Sequence, residues 1–135
     1  MEKGAEGDLP VLNTGATTGA EILAARIDDI LAEGFGGSAI SNEQVYANLD
    51  NYYIVNYWSM GDYTGIGHIP GSYQYTPKAD LASTSFLKTL PTDKTVVIYC
   101  YTGQTSANVA AILKVLGYDA KTLTFGTQGM IWQDM

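Results

Sequence analysis

The sequence predicts an α/β fold built on a parallel sheet, and three observations carry that prediction. Thr95-Val96-Val97-Ile98-Tyr99 is a continuous apolar run of strand length, the pattern of a central strand buried on both faces. After a short polar loop comes a helix-period segment, with Val109, Ile112, Leu113 and Leu116 at i, i+3, i+4 and i+7. Strand-like and helix-like segments alternate along the rest of the chain, which favours parallel strands joined by helices. A chain of 135 residues suits one domain.

The elements follow in order. Residues 1–19 are rich in Gly, Thr, Ala and acidic groups, lack an apolar period, and read as a flexible leader. Thr18 and Glu21 have capping-box spacing, so a helix is expected from about Glu21 to Glu33. Leu23, Ile27, Ile30 and Leu31 fall on one face of it, and Gly34 is its stop. That face is expected to pack on the core, with a docking surface for a partner or second copy as the alternative. Phe35 to Ala39 is a glycine-bearing link. Ser41 and Gln44 repeat the capping-box spacing and open a short helix to about Leu49. Asn48 to Asn51 is a turn, and Tyr52 to Tyr57 is an aromatic and β-branched strand. Gly61 to Gly71 reads as a loop, Ser83 to Leu90 as a helix stopped by Pro91, and Thr92 to Lys94 as a turn. Cys100 to Thr105 is a loop, Ser106 to Leu116 a helix ended by Gly117, and Ala120 to Thr124 a strand. A turn at 126–129 and a helix from Met130 close the chain.

Composition excludes several functions. The net charge of −7 leaves no basic face for nucleic acid and no polybasic membrane anchor. No stretch reaches the ~20 apolar residues of a membrane span. The single cysteine, Cys100, rules out an intrachain disulfide, and the single histidine, His68, leaves too few ligands for a His/Cys zinc site. No metal and no cofactor are expected. The acidic residues are scattered without a pair suited to glycoside or metal chemistry. The residues after Met1-Glu2-Lys3-Gly4 do not form an apolar signal core. The low Lys+Arg count and ten tyrosines lean toward a periplasmic or secreted location.

Cys100 is the candidate nucleophile. It ends a buried strand, where open α/β sheets bind ligands. The short loop Cys100-Tyr101-Thr102-Gly103-Gln104-Thr105 can turn its amides toward the sulfur, and the next helix adds the positive end of its dipole. Both favour the thiolate and lower the cysteine pKa. The alternative is an inert buried thiol.

Three segments resemble the rhodanese homology domain. Tyr53-Ile54-Val55-Asn56, then Asp62-Tyr63, then Gly67-His68-Ile69-Pro70-Gly71-Ser72 resembles its strand, tyrosine and GHIPGA signature. Val96 to Cys100, the loop, and Ser106 to Leu113 are similar to its strand, active loop and helix. Leu116-Gly117-Tyr118, Leu123 to Gly126 and Trp132 resemble its ending. The match runs from about Ile40 to Trp132.

The resemblance implies a three-layer α/β/α sandwich around a small parallel sheet. It divides the chain into a leader at 1–19, a helical extension at 20–39 and the rhodanese-like domain at 40–135. It also implies a sulfurtransferase. Cys100 would take a sulfane sulfur from thiosulfate or a persulfide and pass it to cyanide or a thiol. Tyr101, Thr102, Gly103, Gln104 and Thr105 would form the persulfide cradle, with Trp58 at the pocket. The expected partners are a small sulfur donor and a thiol acceptor, a protein acceptor included.

Two departures bear on the substrate. The family's Asp-x-Arg after the first strand is Asn56-Tyr57-Trp58 here, and the loop lacks arginine. The only arginine is Arg26. A lysine does not reproduce the planar fork that guanidinium offers an oxyanion, so weak thiosulfate binding is expected. Trp58 is open to two readings, a filler of the arginine's space or a pocket wall. Tyr101 is likewise either an acceptor contact or loop packing. His68, Asp62 and Tyr63 are read as structural groups of the GHIPG turn, with a role in the site as the alternative. A rhodanese-fold carrier or binding module with little turnover is the second functional reading. A phosphatase or arsenate reductase is the third, disfavoured because the arginine its loop needs six residues after the cysteine is Ser106.

Overall fold

Five parallel strands form one sheet in the computed structural model, which describes residues 3–12, 14–82 and 85–128. They are β1 (Ala39–Ile40), β2 (Tyr52–Asn56), β3 (Tyr73–Gln74), β4 (Thr95–Tyr99) and β5 (Ala120–Leu123), ordered β1-β5-β4-β2-β3. The apolar run at 95–99 is the central strand, as its pattern requires. It pairs with β2 from Tyr52↔Thr95 to Asn56↔Tyr99, and with β5 from Val96↔Ala120 to Ile98↔Thr122. Val96 and Ile98 face one core with Val55, Ala110 and Leu113. Val97 and Tyr99 face the other with Ile54, Val45, Ile69 and Leu123. Burial of each such aliphatic side chain contributes about 1.5–3 kcal/mol. The α4 helix (Gln104–Val115) covers the first face and α2 (Asn42–Ala47) packs on the second through Val45, giving the three layers expected, and α3 (Met60–Gly65) follows β2.

The chain passes outward from β2 to β3, then returns to β4 and moves the other way to β5. Neighbouring strands β2 and β4 therefore send their connections in opposite directions. The crevice beyond their carboxyl ends is a topological switch point, where sheets of this kind bind ligands. Cys100 follows β4 directly, and Trp58 lies just past β2.

The α1 helix (Gly19–Glu33) starts where the cap spacing places it, with Thr18 Oγ1 accepting from the Glu21 amide at 3.3 Å. Gly34 ends it at φ 78°. The expectation that its apolar face enters the core is not met, because α1 has no buried residue. Leu23, Ile27 and Leu31 are all exposed. Polar contacts hold the helix instead. Arg26 donates to the Lys114 and Val115 carbonyls at the end of α4, at 2.6 and 3.4 Å. Lys114 pairs with Glu33 at 2.5 Å and is itself buried. The described residues of the leader before α1 form no helix or strand, yet the Gly7 amide donates to the Lys88 carbonyl at 2.8 Å and Lys3 pairs with Asp80 at 3.2 Å.

Other differences have local causes. The expected loop at 61–71 contains α3. Ser59 caps it by accepting from the Asp62 amide at 3.2 Å, and buried Tyr63 anchors it by donating to the Ser72 carbonyl at 2.8 Å. These outweigh the cost of Gly61 and Gly65. Of the helix expected over 83–90, Ser83 and Thr84 lie outside the described residues, and Leu87–Thr89 is one 3₁₀ turn. The Tyr75 hydroxyl meets Thr89 Oγ1 at 2.5 Å and draws that turn into the core. β1 and β3, two residues each, are too short for periodicity to detect. The turn expected at 126–129 is described through Gln128, and the helix expected from Met130 lies outside the described residues.

Candidate active site

Cys100 is almost fully buried at the end of β4. The α4 helix begins at Gln104, two residues before the expected Ser106, because Gly103 takes a left-handed conformation at φ 93°. That turn points the Gly103 amide at the cysteine, where it donates to Sγ at 3.2 Å. Ser106, fully buried on the first turn of α4, brings its Oγ to 3.5 Å from Sγ. Burial pushes the Cys100 thiol up. The Ser106 hydroxyl, with the Ser106, Gly103 and Thr102 amides, outweighs it, so the pKa lies below the ordinary thiol value. The N-terminal end of α4 acts in the same sense.

Ser106 has a partner that the sequence did not disclose. Its Oγ lies 2.7 Å from Thr122 Oγ1 on β5 and donates to the Gly103 carbonyl at 3.1 Å. A serine hydroxyl has one proton. When the thiol ionises, that proton can turn from Gly103 to the sulfur while Thr122 donates to Ser106. The relay depends on the β4–β5 register, so only the signal of a serine six residues after the cysteine was available in sequence.

The backbone of the loop is fastened from behind. The Thr127 amide donates to the Cys100 carbonyl at 3.1 Å, and the Gln128 amide to the Tyr101 carbonyl at 3.2 Å. Gly126 allows this approach. A Cβ there would lie 2.3 Å from the Cys100 carbonyl oxygen, and its φ is +56°.

The other expected site residues divide into two groups. Tyr101 stacks on Trp58, with ring centroids 4.5 Å apart and planes at 17°. Its hydroxyl donates to Asp62, which pushes Tyr101 up to about 12 and holds the Asp62 carboxyl below its usual range. Trp58 is buried, meets Tyr99 edge-on at 5.6 Å, and accepts from Gln74 through its carbonyl at 2.6 Å. Thr102 uses its hydroxyl to accept from the Gln104 amide at 3.4 Å. Gln104 and Thr105 stand exposed on the first turn of α4, and the donors to the sulfur are Gly103, Ser106 and Thr102.

The residues of the GHIPG turn are occupied structurally. His68 stacks on Tyr63 at 3.7 Å, and its Nδ1 lies 3.0 Å from the Tyr63 carbonyl. Asn56 donates through Nδ2 to the Tyr99 hydroxyl at 2.7 Å, and the Ile69 amide donates to the same oxygen at 3.1 Å. Arg26 is committed at the far end of α4, roughly 17 Å along the helix from the cysteine loop.

Comparison with known proteins agrees with this architecture. A family model described as "Rhodanese-like domain" matches residues 41–130. No curated protein matches the sequence. Among solved structures, a rhodanese-related protein from Thermoplasma volcanium is similar at 24% identity and TM-score 0.63, covering 71% of this chain and 92% of that one. Reduced CoADR-RHD from Bacillus anthracis is similar at 20% identity and TM-score 0.64, over 81% of this chain but 19% of that one. A Rhodopseudomonas palustris protein of unknown function, described as a possible tyrosine phosphatase, aligns at 20% identity and TM-score 0.58, over 88% and 92%. These likenesses speak for the fold, and the match over 41–130 for the family: the chain belongs to the rhodanese-like domain family.

Proposed function

We propose that the protein is a sulfurtransferase in which Cys100 carries the sulfur as a persulfide. The observation that carries this reading is the set of donors around Sγ, with Gly103 N–H at 3.2 Å and Ser106 Oγ at 3.5 Å. They favour a thiolate without a separate base, and the same groups can hold the added sulfur. The thiolate attacks the sulfane sulfur of a donor R–S–S⁻. The donor's S–S bond breaks, RS⁻ leaves with the electron pair, and Cys100–S–S⁻ remains. An acceptor thiolate then takes the outer sulfur and restores the Cys100 thiolate.

The donor is a low-molecular-weight or protein persulfide in preference to thiosulfate. Thiosulfate is a dianion, and the arginine that could grip it is held at the other end of α4. Asp62 brings negative charge to Tyr101, and the chain has a net charge of −7. A phosphoryl-transfer reading lacks its cation for the same reason, since the position six residues after the cysteine is Ser106.

One observation favours a second reading, that of a sulfur carrier with little turnover on free acceptors. Cys100 is only 5% exposed. Intact mass after polysulfide treatment tests the first step: one sulfur is gained by the wild type and none by Cys100→Ser. Turnover with a free small thiol then separates enzyme from carrier. Sulfur transfer that persists in Cys100→Ser would overturn both, because the chain has no other cysteine.

A further inference from the structure

Beside the cysteine loop lies a cleft of about 300 Å³, lined by Tyr46, Trp58, Ile66, His68, Tyr99 and Thr127 among others. Cys100 does not line it, but packs in one buried cluster with Trp58, Ile69 and Tyr99, which do, and three links tie the cleft to the cysteine loop. Tyr99 precedes the cysteine in β4, Trp58 stacks on Tyr101, and the Thr127 amide donates to the Cys100 carbonyl. It also lies at the carboxyl ends of β2 and β4, at the switch point of the sheet.

The lining has a definite chemistry. Among the described residues it contains several aromatic rings, and no Asp, Glu, Lys or Arg. The His68 Nδ1 is engaged with the Tyr63 carbonyl, which can only accept, so in the neutral ring Nδ1 bears the proton and the Nε2 lone pair meets no donor among the described residues. The indole Nε1–H of Trp58 is buried and has no acceptor among the described residues. A charged group entering this cleft would lose hydration without an opposite charge to replace it. A flat uncharged ring would instead gain contact with the aromatic walls.

We infer that the sulfur acceptor is an aromatic thiol with no charge apart from its reacting sulfur, its ring seated in this cleft. This rests on the persulfide reading of Cys100 and names its acceptor class. The acceptor thiolate attacks the outer sulfur of Cys100–S–S⁻. The inner S–S bond breaks, its electron pair stays on Cys100, and the acceptor leaves as R–S–S⁻. No oxidant or reductant is needed.

The test has two arms. In the first, ¹⁵N-labelled Cys100→Ser is titrated with benzyl alcohol, an unreactive analogue of benzyl mercaptan. The Trp58 indole resonance, assigned by its loss in Trp58→Phe, should move saturably. The movement should disappear when exposed Ile66 is replaced by tryptophan (Ile66→Trp) to fill the cleft. In the second, wild type loaded from polysulfide should deliver sulfur to benzyl mercaptan at least tenfold faster than to mercaptosuccinate, compared at equal thiolate concentration. A motionless indole resonance, movement that survives Ile66→Trp, or equal rates for the two thiols would overturn the acceptor assignment alone. A wild type that takes up no sulfur would overturn the persulfide reading along with it.

Discussion

The cysteine loop and the α1 helix form an instructive pair. Both were marked by clear local signals, α1 by a capping residue and an apolar stripe, the loop by a small polar run between a buried strand and a helix. The structure treats them oppositely. The loop is fastened on several sides, by Thr127 and Gln128 from behind and by Gly103 and Ser106 around the sulfur. The α1 helix buries none of its residues and is held by Arg26 and by the Lys114–Glu33 pair. A periodic stripe encodes a helix. It does not say that the stripe will be covered.

The largest expected effect breaks the fastened side. Gly126→Ala drives a Cβ against the Cys100 carbonyl at a position with φ +56°. It should cost on the order of 3 kcal/mol in stability and abolish persulfide formation. Denaturant unfolding and intact mass check it, and wild-type behaviour would mean that the loop yields easily.

Next comes the sulfur itself. Removing a hydrogen bond to a charged group costs about 1.5 kcal/mol, so Ser106→Ala should lower the rate roughly tenfold at neutral pH. The Cys100 pKa is lowered in the fold. The reaction rate therefore rises with pH through a midpoint below that of an ordinary thiol, and Ser106→Ala moves that midpoint upward. By linkage, the stability the thiolate contributes is fully present above the unfolded thiol pKa and is lost as pH falls through the folded one. Thr122→Val should shift the midpoint in the same direction by less. Ultraviolet titration of the thiolate reads each variant, and an unmoved midpoint in Ser106→Ala would remove the relay from the mechanism.

The loosely held side should respond less. Arg26→Ala removes the guanidinium from the α4 carbonyls and should cost about 1 kcal/mol. Amide exchange should accelerate within α1, while the Cys100 titration stays where it is. The smallest effect is expected at the stripe. Leu31 is 72% exposed, so Leu31→Gln should change stability by no more than about 0.5 kcal/mol. A loss of 2–5 kcal/mol, as for a buried leucine, would show that α1 is covered in solution.

Much of the site was legible because its signals are local. The Cys100 position follows from a five-residue apolar run and the loop behind it. The α2 cap was readable because Ser41 and Gln44 exchange both of their hydrogen bonds within four residues. The α3 helix was missed because its glycines read as loop, whereas its anchor, the bond from Tyr63 to Ser72, spans nine residues. Trp58 could not be assigned from sequence, since its stacking on Tyr101 joins the ends of two different strands.

The sequence by itself determined the class of fold, the central strand, the caps of α1 and α2 and the single thiol around which the proposed chemistry must turn. These depend on periodicity, capping and composition, each expressed within a few neighbouring residues. The tertiary structure alone decided that Ser106 meets Thr122, that Gly126 lies beneath the Cys100 carbonyl, that Trp58 becomes a cleft wall, and that the apolar stripe of α1 stays uncovered. Those contacts depend on strand order and register, which join residues far apart in the chain and leave no trace in a local pattern.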